Sequence, residues 1–292
     1  MRIGVVLMPT ETWPDTMAEA QRLDRLGYDH LWVYDHLSWR HYRNGPWHAT
    51  YPWLAAVAAT TERIRLGTMV SNLNVRHPLT LAKDAMTIDQ ISGGRLILGL
   101  GAGGLGYDAE ALGQDPLTPG QRVDRLAEAT DLLDGLLRLE TEDHDGDWYT
   151  VKGARLLPGC AQQPRVPFAV AAGGPKALAV AARHGEAWVT FGDTSGAETS
   201  AAGAEAVVAR QSAQLDDALD AVGRSRDSID RILLMGHSEA RPLASLEAFR
   251  DFAGRHAELG FTDLVFHLPS DDPAWNDPPE IVDEIAEAFL TP

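Results

Sequence analysis

Short apolar runs alternate with stretches of helical spacing along the whole chain. Ile3-Gly-Val-Val-Leu-Met8 is an uninterrupted apolar run, fit for a strand covered on both faces. Over 14–26, Met17, Ala20, Leu23 and Leu26 recur at the spacing of one helix face, and Gly27 follows as a stop. The same reading predicts further strands at 31–34, 64–70, 95–100, 168–171, 187–190, 232–235 and 264–267. Between and after them it predicts helices at 51–62, 78–91, 119–138, 175–184, 201–222, 245–259 and near 279–290. Residues 139–167 break the rhythm with an acidic turn (142–147), a short strand at Trp148–Val151 and a Pro-rich approach to the fifth strand. This stretch reads as an excursion from the domain, between the fourth helix and the fifth strand, not as a linker.

Eight strand-then-helix units predict an α/β fold, a single (β/α)8 TIM barrel spanning residues 1–292. The competing open doubly wound sheet carries a Gly-rich turn after its first strand. Here that strand ends in Met8-Pro-Thr10.

Composition narrows the partners. Apolar residues make up 45% of the 292, enough for a large core, and 25 Lys and Arg stand against 42 Asp and Glu, a net charge of −17. Such a chain repels nucleic-acid phosphates and anionic membranes, so neither is expected as a partner, and the plain reading of the charge is solubility. One cysteine, Cys160, leaves no internal disulfide and fits a reducing cytoplasm. No charged segment with an apolar run precedes the first strand, and no stretch approaches the roughly 18 apolar residues of a membrane span.

In a barrel the reacting groups lie beyond the C-terminal ends of the strands. After the second strand come Asp35, His36 and Trp39, with Trp47 further along the loop. A histidine there can serve as a general acid or base, and a buried strand-end network is the plainer alternative. Ser71, Asn72, Asn74, Arg76 and His77 follow the third strand, and a glycine cluster over 99–106 follows the fourth. Either those glycines make room for something bulky or they are purely structural. Ala172-Gly-Gly-Pro-Lys176 opens a helix. Backbone amides and the helix dipole at such a start attract an anion, though a tight strand-to-helix turn looks the same in sequence. Phe191-Gly-Asp-Thr194, His237 and His267 close the remaining strands. A metal hydrolase would need converging ligands. His36, His237 and His267 lack a bridging partner, and the first strand has no His-x-His pair, so no metal is expected.

In order and spacing these strand-end motifs resemble the luciferase-like oxidoreductases, which include flavin monooxygenases and deazaflavin (coenzyme F420) dehydrogenases. The resemblance runs through Gly27-Tyr-Asp-His-Leu-Trp-Val-Tyr-Asp-His36, Arg63-Ile-Arg-Leu-Gly-Thr-Met-Val70, Pro78-Leu-Thr-Leu-Ala82 and Ser92-Gly-Gly-Arg-Leu-Ile-Leu-Gly-Leu-Gly-Ala-Gly103. It continues through Arg122 with Arg125, Pro167-Phe-Ala-Val-Ala-Ala-Gly-Gly-Pro-Lys176 and Ala181-Ala-Arg-His-Gly-Glu-Ala-Trp-Val-Thr190. It implies that Met69, Val70 and Ser71 back the ring of F420 or FMN, often through a non-proline cis peptide. It further implies that Ala172, Gly173, Gly174, Thr190 and Gly192 hold the cofactor phosphate. Asp35 would contact the cofactor, and His36, with Trp39 as an aromatic wall, would face the position of hydride transfer. Members often form homodimers. One departure stands out: the deazaflavin sugar-phosphate dehydrogenases carry a glutamate where this chain has Gly104. The expectation is therefore hydride exchange between F420 and a small organic substrate other than a sugar phosphate. An FMN-dependent monooxygenase and a non-catalytic flavin-binding barrel are the alternatives.

Overall fold

The computed structural model describes residues 1–104, 106–192, 200–236, 241–273 and 275–290. In chain order the elements begin β1 (Arg2–Val6), α1 (Trp13–Leu26), β2 (His30–Val33), α2 (Thr50–Thr60), β3 (Arg65–Thr68), β4 (Ser71–Asn72), α3 (Pro78–Ser92) and β5 (Leu96–Gly101). Next come α4 (Tyr107–Ala111), α5 (Pro119–Leu137), β6 (His144–Asp145), β7 (Thr150–Val151), β8 (Phe168–Ala171) and α6 (Pro175–His184). β9 (Ala187–Thr190), α7 (Ala201–Ala221), β10 (Asp230–Leu234), α8 (Leu246–Glu258), β11 (Asp263–His267) and α9 (Ile281–Phe289) complete the chain. Strands pair in parallel in the order β3-β2-β1-β11-β10-β9-β8-β5, and a β3–β5 pairing closes the ring into the predicted eight-stranded barrel.

The strands form because both of their faces are buried. Outward side chains such as Ile3, Leu31, Leu66 and Leu98 pack under the helices. Inward ones such as Val6, Trp32, Ile97 and Val265 fill the barrel, with Met8, Trp39, Trp47, Val70 and Ala171 packed against them. Two glycines let large rings lie inside. A Cβ on Gly4 would fall 1.8 Å from His30 Nδ1, and one on Gly67 would fall 2.3 Å from Trp32 Cζ3.

The predicted boundaries shift where apolarity carries no information about backbone path. The run over 64–70 is not one strand. The Met69–Val70 peptide is cis, and beyond it β4 pairs with β5, Ser71 opposite Leu100 and Asn72 opposite Gly101. The excursion holds an antiparallel hairpin of β6 and β7, shorter than the predicted strand at Trp148–Val151. It is pinned to α5 by the Glu128 carboxylate, which accepts the amides of Trp148 and Tyr149. The short helix α4 was not predicted.

Candidate active site

The end of β2 delivers Tyr34, Asp35 and His36 to the C-terminal mouth of the barrel. Asp35 is 2% exposed, and its carboxylate accepts the Asn72 amide at 3.0 Å and two bonds from Arg76, at 3.1 and 2.8 Å. It therefore clamps the segment after β4 to the end of β2, and its negative charge is already answered.

His36 meets Asp108 of α4, with Nδ1 2.6 Å from Oδ2. Asp108 also accepts the Leu37 amide at 2.7 Å and the Asn72 side-chain amide at 2.7 Å. Burial alone would raise its pKa. The bonds from His36 and from the backbone of Leu37 and Ser38 outweigh that and hold the carboxyl below its ordinary value. An ionised Asp108 can only accept, so Nδ1 of His36 carries the proton. Nε2 then remains on a ring about 30% exposed, and has no hydrogen bond among the described residues.

Aromatic rings surround this pair. Trp39 stacks on His36 (centroids 6.2 Å, 22°) and on Tyr42 (6.4 Å, 11°), and Trp47 tilts against all three. Tyr34 is buried below Trp39, at 5.0 Å, and its hydroxyl lies 2.5 Å from His267 Nε2; burial pushes this phenol up. Trp275 lies flat on His267. The Tyr42 hydroxyl donates to Asp272 at 2.6 Å, tying the loop after β2 to the loop after β11.

The third-strand residues divide in role. Val70 and the 6%-exposed Met69 join the barrel filling at its top. Ser71 is fully buried: its hydroxyl meets Tyr51 (2.7 Å) and Thr68 (2.8 Å), and its backbone lies opposite Leu100 in the β4–β5 pairing. The glycines of β5 make room for protein. A Cβ on Gly99 would meet the Thr68 carbonyl at 1.7 Å, and one on Gly101 would meet Val70 Cγ2 at 2.4 Å. Beyond them Gly103, at φ 71°, sits beside Asn74 and Arg125, while Gly104 and Gly106 border open space.

On the far side of the mouth, Ala172 follows β8, its amide bonded to Val189 and its carbonyl to the Trp188 indole. Gly173 and Gly174 lead into α6, which starts at Pro175 with no side-chain cap, and a Cβ on Gly174 would meet nothing. Lys176 is paired with Asp124. Thr190 donates to Gln211 at 2.6 Å and accepts the Gly192 amide at 3.0 Å, so its hydroxyl shapes this turn. Arg125, 8% exposed, donates to Asn74 at 2.5 Å, keeps a buried Nε without a bond, and has no carboxylate partner among the described residues. His237, Asp193 and Thr194 lie outside the described residues.

Sequence reasoning thus placed His36, Trp39 and Asp35 in one cluster and the glycine turn across the mouth, but missed Asp108. Asp108 lies in a five-residue helix that no apolar period marks, so the sequence carried no signal for it.

The structure is thus a closed barrel whose C-terminal mouth, where barrel enzymes carry their reacting groups, holds a carboxylate-bound histidine among aromatic rings. The chain belongs to the luciferase-like monooxygenase family of oxidoreductases, whose model matches residues 1–259. It is 31% identical over 286 residues to the F420-dependent glucose-6-phosphate dehydrogenase of Intrasporangium calvum (strain ATCC 23552), covering 91% of this chain and 82% of that one. The enzyme of the same name from Microbacterium testaceum is 32% identical over 212 residues, 72% of this chain but only 60% of the relative's length. The 4-hydroxyprotoasukamycin monooxygenase of Streptomyces nodosus subsp. asukaensis is 35% identical over 184 residues, 62% of this chain and 47% of that one. Among solved structures, an F420-dependent secondary alcohol dehydrogenase superposes with a TM-score of 0.78 at 17% identity over 98% of this chain and 97% of its own. The monooxygenase RslO1 from Streptomyces bottropensis gives 0.74 at 22% over 99% and 98%. At those identities the structures speak for the fold alone.

Proposed function

We propose that this chain is a deazaflavin (F420)-dependent dehydrogenase or reductase acting on a small organic substrate. One observation carries the reading: His36, fixed by Asp108 and walled by Trp39, stands at the same mouth as the apolar top of the barrel filling at Val70 and Ala171. The curated relatives named for F420-dependent glucose-6-phosphate dehydrogenase support it.

The residues present fit such a coenzyme. Val70 and Ala171 offer an apolar ledge on top of the barrel filling. The uncapped start of α6 at Gly173 and Gly174 offers backbone amides for a phosphate, and Arg125, bonded to Asn74, has no carboxylate partner among the described residues. When bound, the coenzyme supplies two-electron hydride chemistry. The chain's part is to orient it, exclude water with Trp39 and Trp47, and move a proton at Nε2 of His36 while Asp108 holds Nδ1. The monooxygenase relative supports a second reading, FMN in the same place.

Titrating the protein with F420 and with FMN, and following the quench of coenzyme fluorescence, tests both. F420 is expected to bind with a Kd below about 100 μM, equivalent to roughly 5 kcal/mol or more. Tighter FMN binding would move the assignment to the monooxygenase branch, and binding of neither would end the coenzyme reading. Turnover unchanged in His36→Ala would show that His36 has no catalytic role, and coenzyme binding with no turnover of any substrate would leave a flavin-binding barrel without catalysis.

A further inference from the structure

Resting on that coenzyme reading, we propose that the mouth selects a neutral, planar, conjugated ring as substrate and rejects a phosphorylated sugar. The argument begins with its walls. His36, Trp39 and Tyr42 present their rings in a nearly parallel array, with Trp47 set against it. Such faces gain most from a flat, polarisable partner and offer few hydrogen bonds to the hydroxyls of a sugar. At the same end of the barrel Leu37, Leu112 and Phe191 are exposed, an apolar surround for the entrance.

Charge points the same way. Asp108 and Asp272 stand on either side of the aromatic array, bonded to His36 and Tyr42. Among the described residues Arg76 is held by Asp35, Arg40 lies over the Trp39 ring at 4.3 Å and Arg43 over the Tyr107 ring at 4.2 Å, while Arg125, bonded to Asn74, is the cation proposed for the coenzyme phosphate. A dianionic phosphate beside His36 would face two carboxylates and would compete with Asp35 or an aromatic face for the neighbouring arginines. A neutral ring has neither cost.

The test measures equilibrium binding of coumarin, 1-naphthol and glucose 6-phosphate to the protein, with and without F420 loaded. The two neutral rings are expected to bind with Kd below about 1 mM, and glucose 6-phosphate to show no saturation at ten times that concentration. Trp39→Ala should weaken the rings about tenfold and Trp39→Phe should restore most of the affinity, while Arg40→Ala stays within about twofold. Circular dichroism of each variant reports folding, and if Trp39→Ala does not fold, Trp39→Phe against Trp47→Phe carries the comparison. Preference for glucose 6-phosphate, especially if Arg40→Ala removes it, overturns the proposal; so does failure of every probe to bind. Failure to load F420 strikes instead at the coenzyme reading, and is seen separately because ring binding is also measured without it.

Discussion

At the scale of single residues, the site turns on a carboxylate that came from an unexpected place. His36 and Trp39 were legible because polar and aromatic side chains directly after a buried strand have few structural reasons to be there. Asp108 was not, since α4 is five residues long and too short for an apolar period to show. Asp108 brings a carboxylate to 2.6 Å from His36 Nδ1. In the proposed mechanism it keeps the proton on Nδ1 and leaves Nε2 to the substrate. Asp108→Asn preserves the shape but can present an N–H donor to Nδ1, favouring the other tautomer. Turnover should fall about 100-fold, the scale of a lost acid–base group, with F420 affinity within about twofold. A fall in kcat with a displaced pH profile supports this; an unchanged kcat would show that Asp108 merely anchors α4.

At the scale of elements, the barrel rhythm could be read because parallel strands are covered on both sides and appear as short unbroken apolar runs. What those runs conceal is the path of the backbone inside them. Residues 64–70 look like a single strand, yet the chain changes course between Thr68 and Ser71, and Gly99 and Gly101 on β5 give way to it. Of the glycines over 99–106, which the sequence left open between room for something bulky and a structural cluster, Gly99 and Gly101 accommodate the neighbouring segment, while Gly104 and Gly106 border open space. The ledge is accordingly built by two elements together. Gly101→Ala would press its Cβ onto the Val70 side chain, which can rotate away only by leaving its present position. The expected result is a stability loss of about 1–3 kcal/mol by urea unfolding, typical of overpacking, with F420 affinity about tenfold weaker. Weakened stability with unaltered coenzyme binding would mean that Val70 is not part of the ledge.

At the scale of the whole molecule, the two ends of the barrel divide chemistry from stability. The mouth leaves His36 Nε2 without a bond among the described residues, whereas the opposite end closes a buried polar network around a cavity of about 140 Å³. There Asp263 accepts Arg2 at 2.8 and 2.7 Å and faces His30 Nε2 at 2.9 Å, while Trp32 donates to His30 Nδ1 at 2.7 Å. Burial would raise the Asp263 carboxyl, but the bonds from His30, Arg2 and Thr262 bring it down to about 2. In the unfolded chain the same group titrates near 3.9, so the unfolded state takes up its proton first as the pH falls. Stability from this group is therefore complete above about pH 5 and drains away as the pH passes from 4 down through 2, by on the order of 2 kcal/mol. Other held carboxylates, Asp24 and Asp134 among them, are also lowered and add slopes of the same sign, so the measurement must isolate one. Asp263→Asn removes the titration and leaves the others in place. The difference in unfolding free energy between the natural protein and this variant should shrink by that amount from pH 5 to pH 2. A difference that stays constant across the range would mean that Asp263 is no more ionised in the fold than in the unfolded chain.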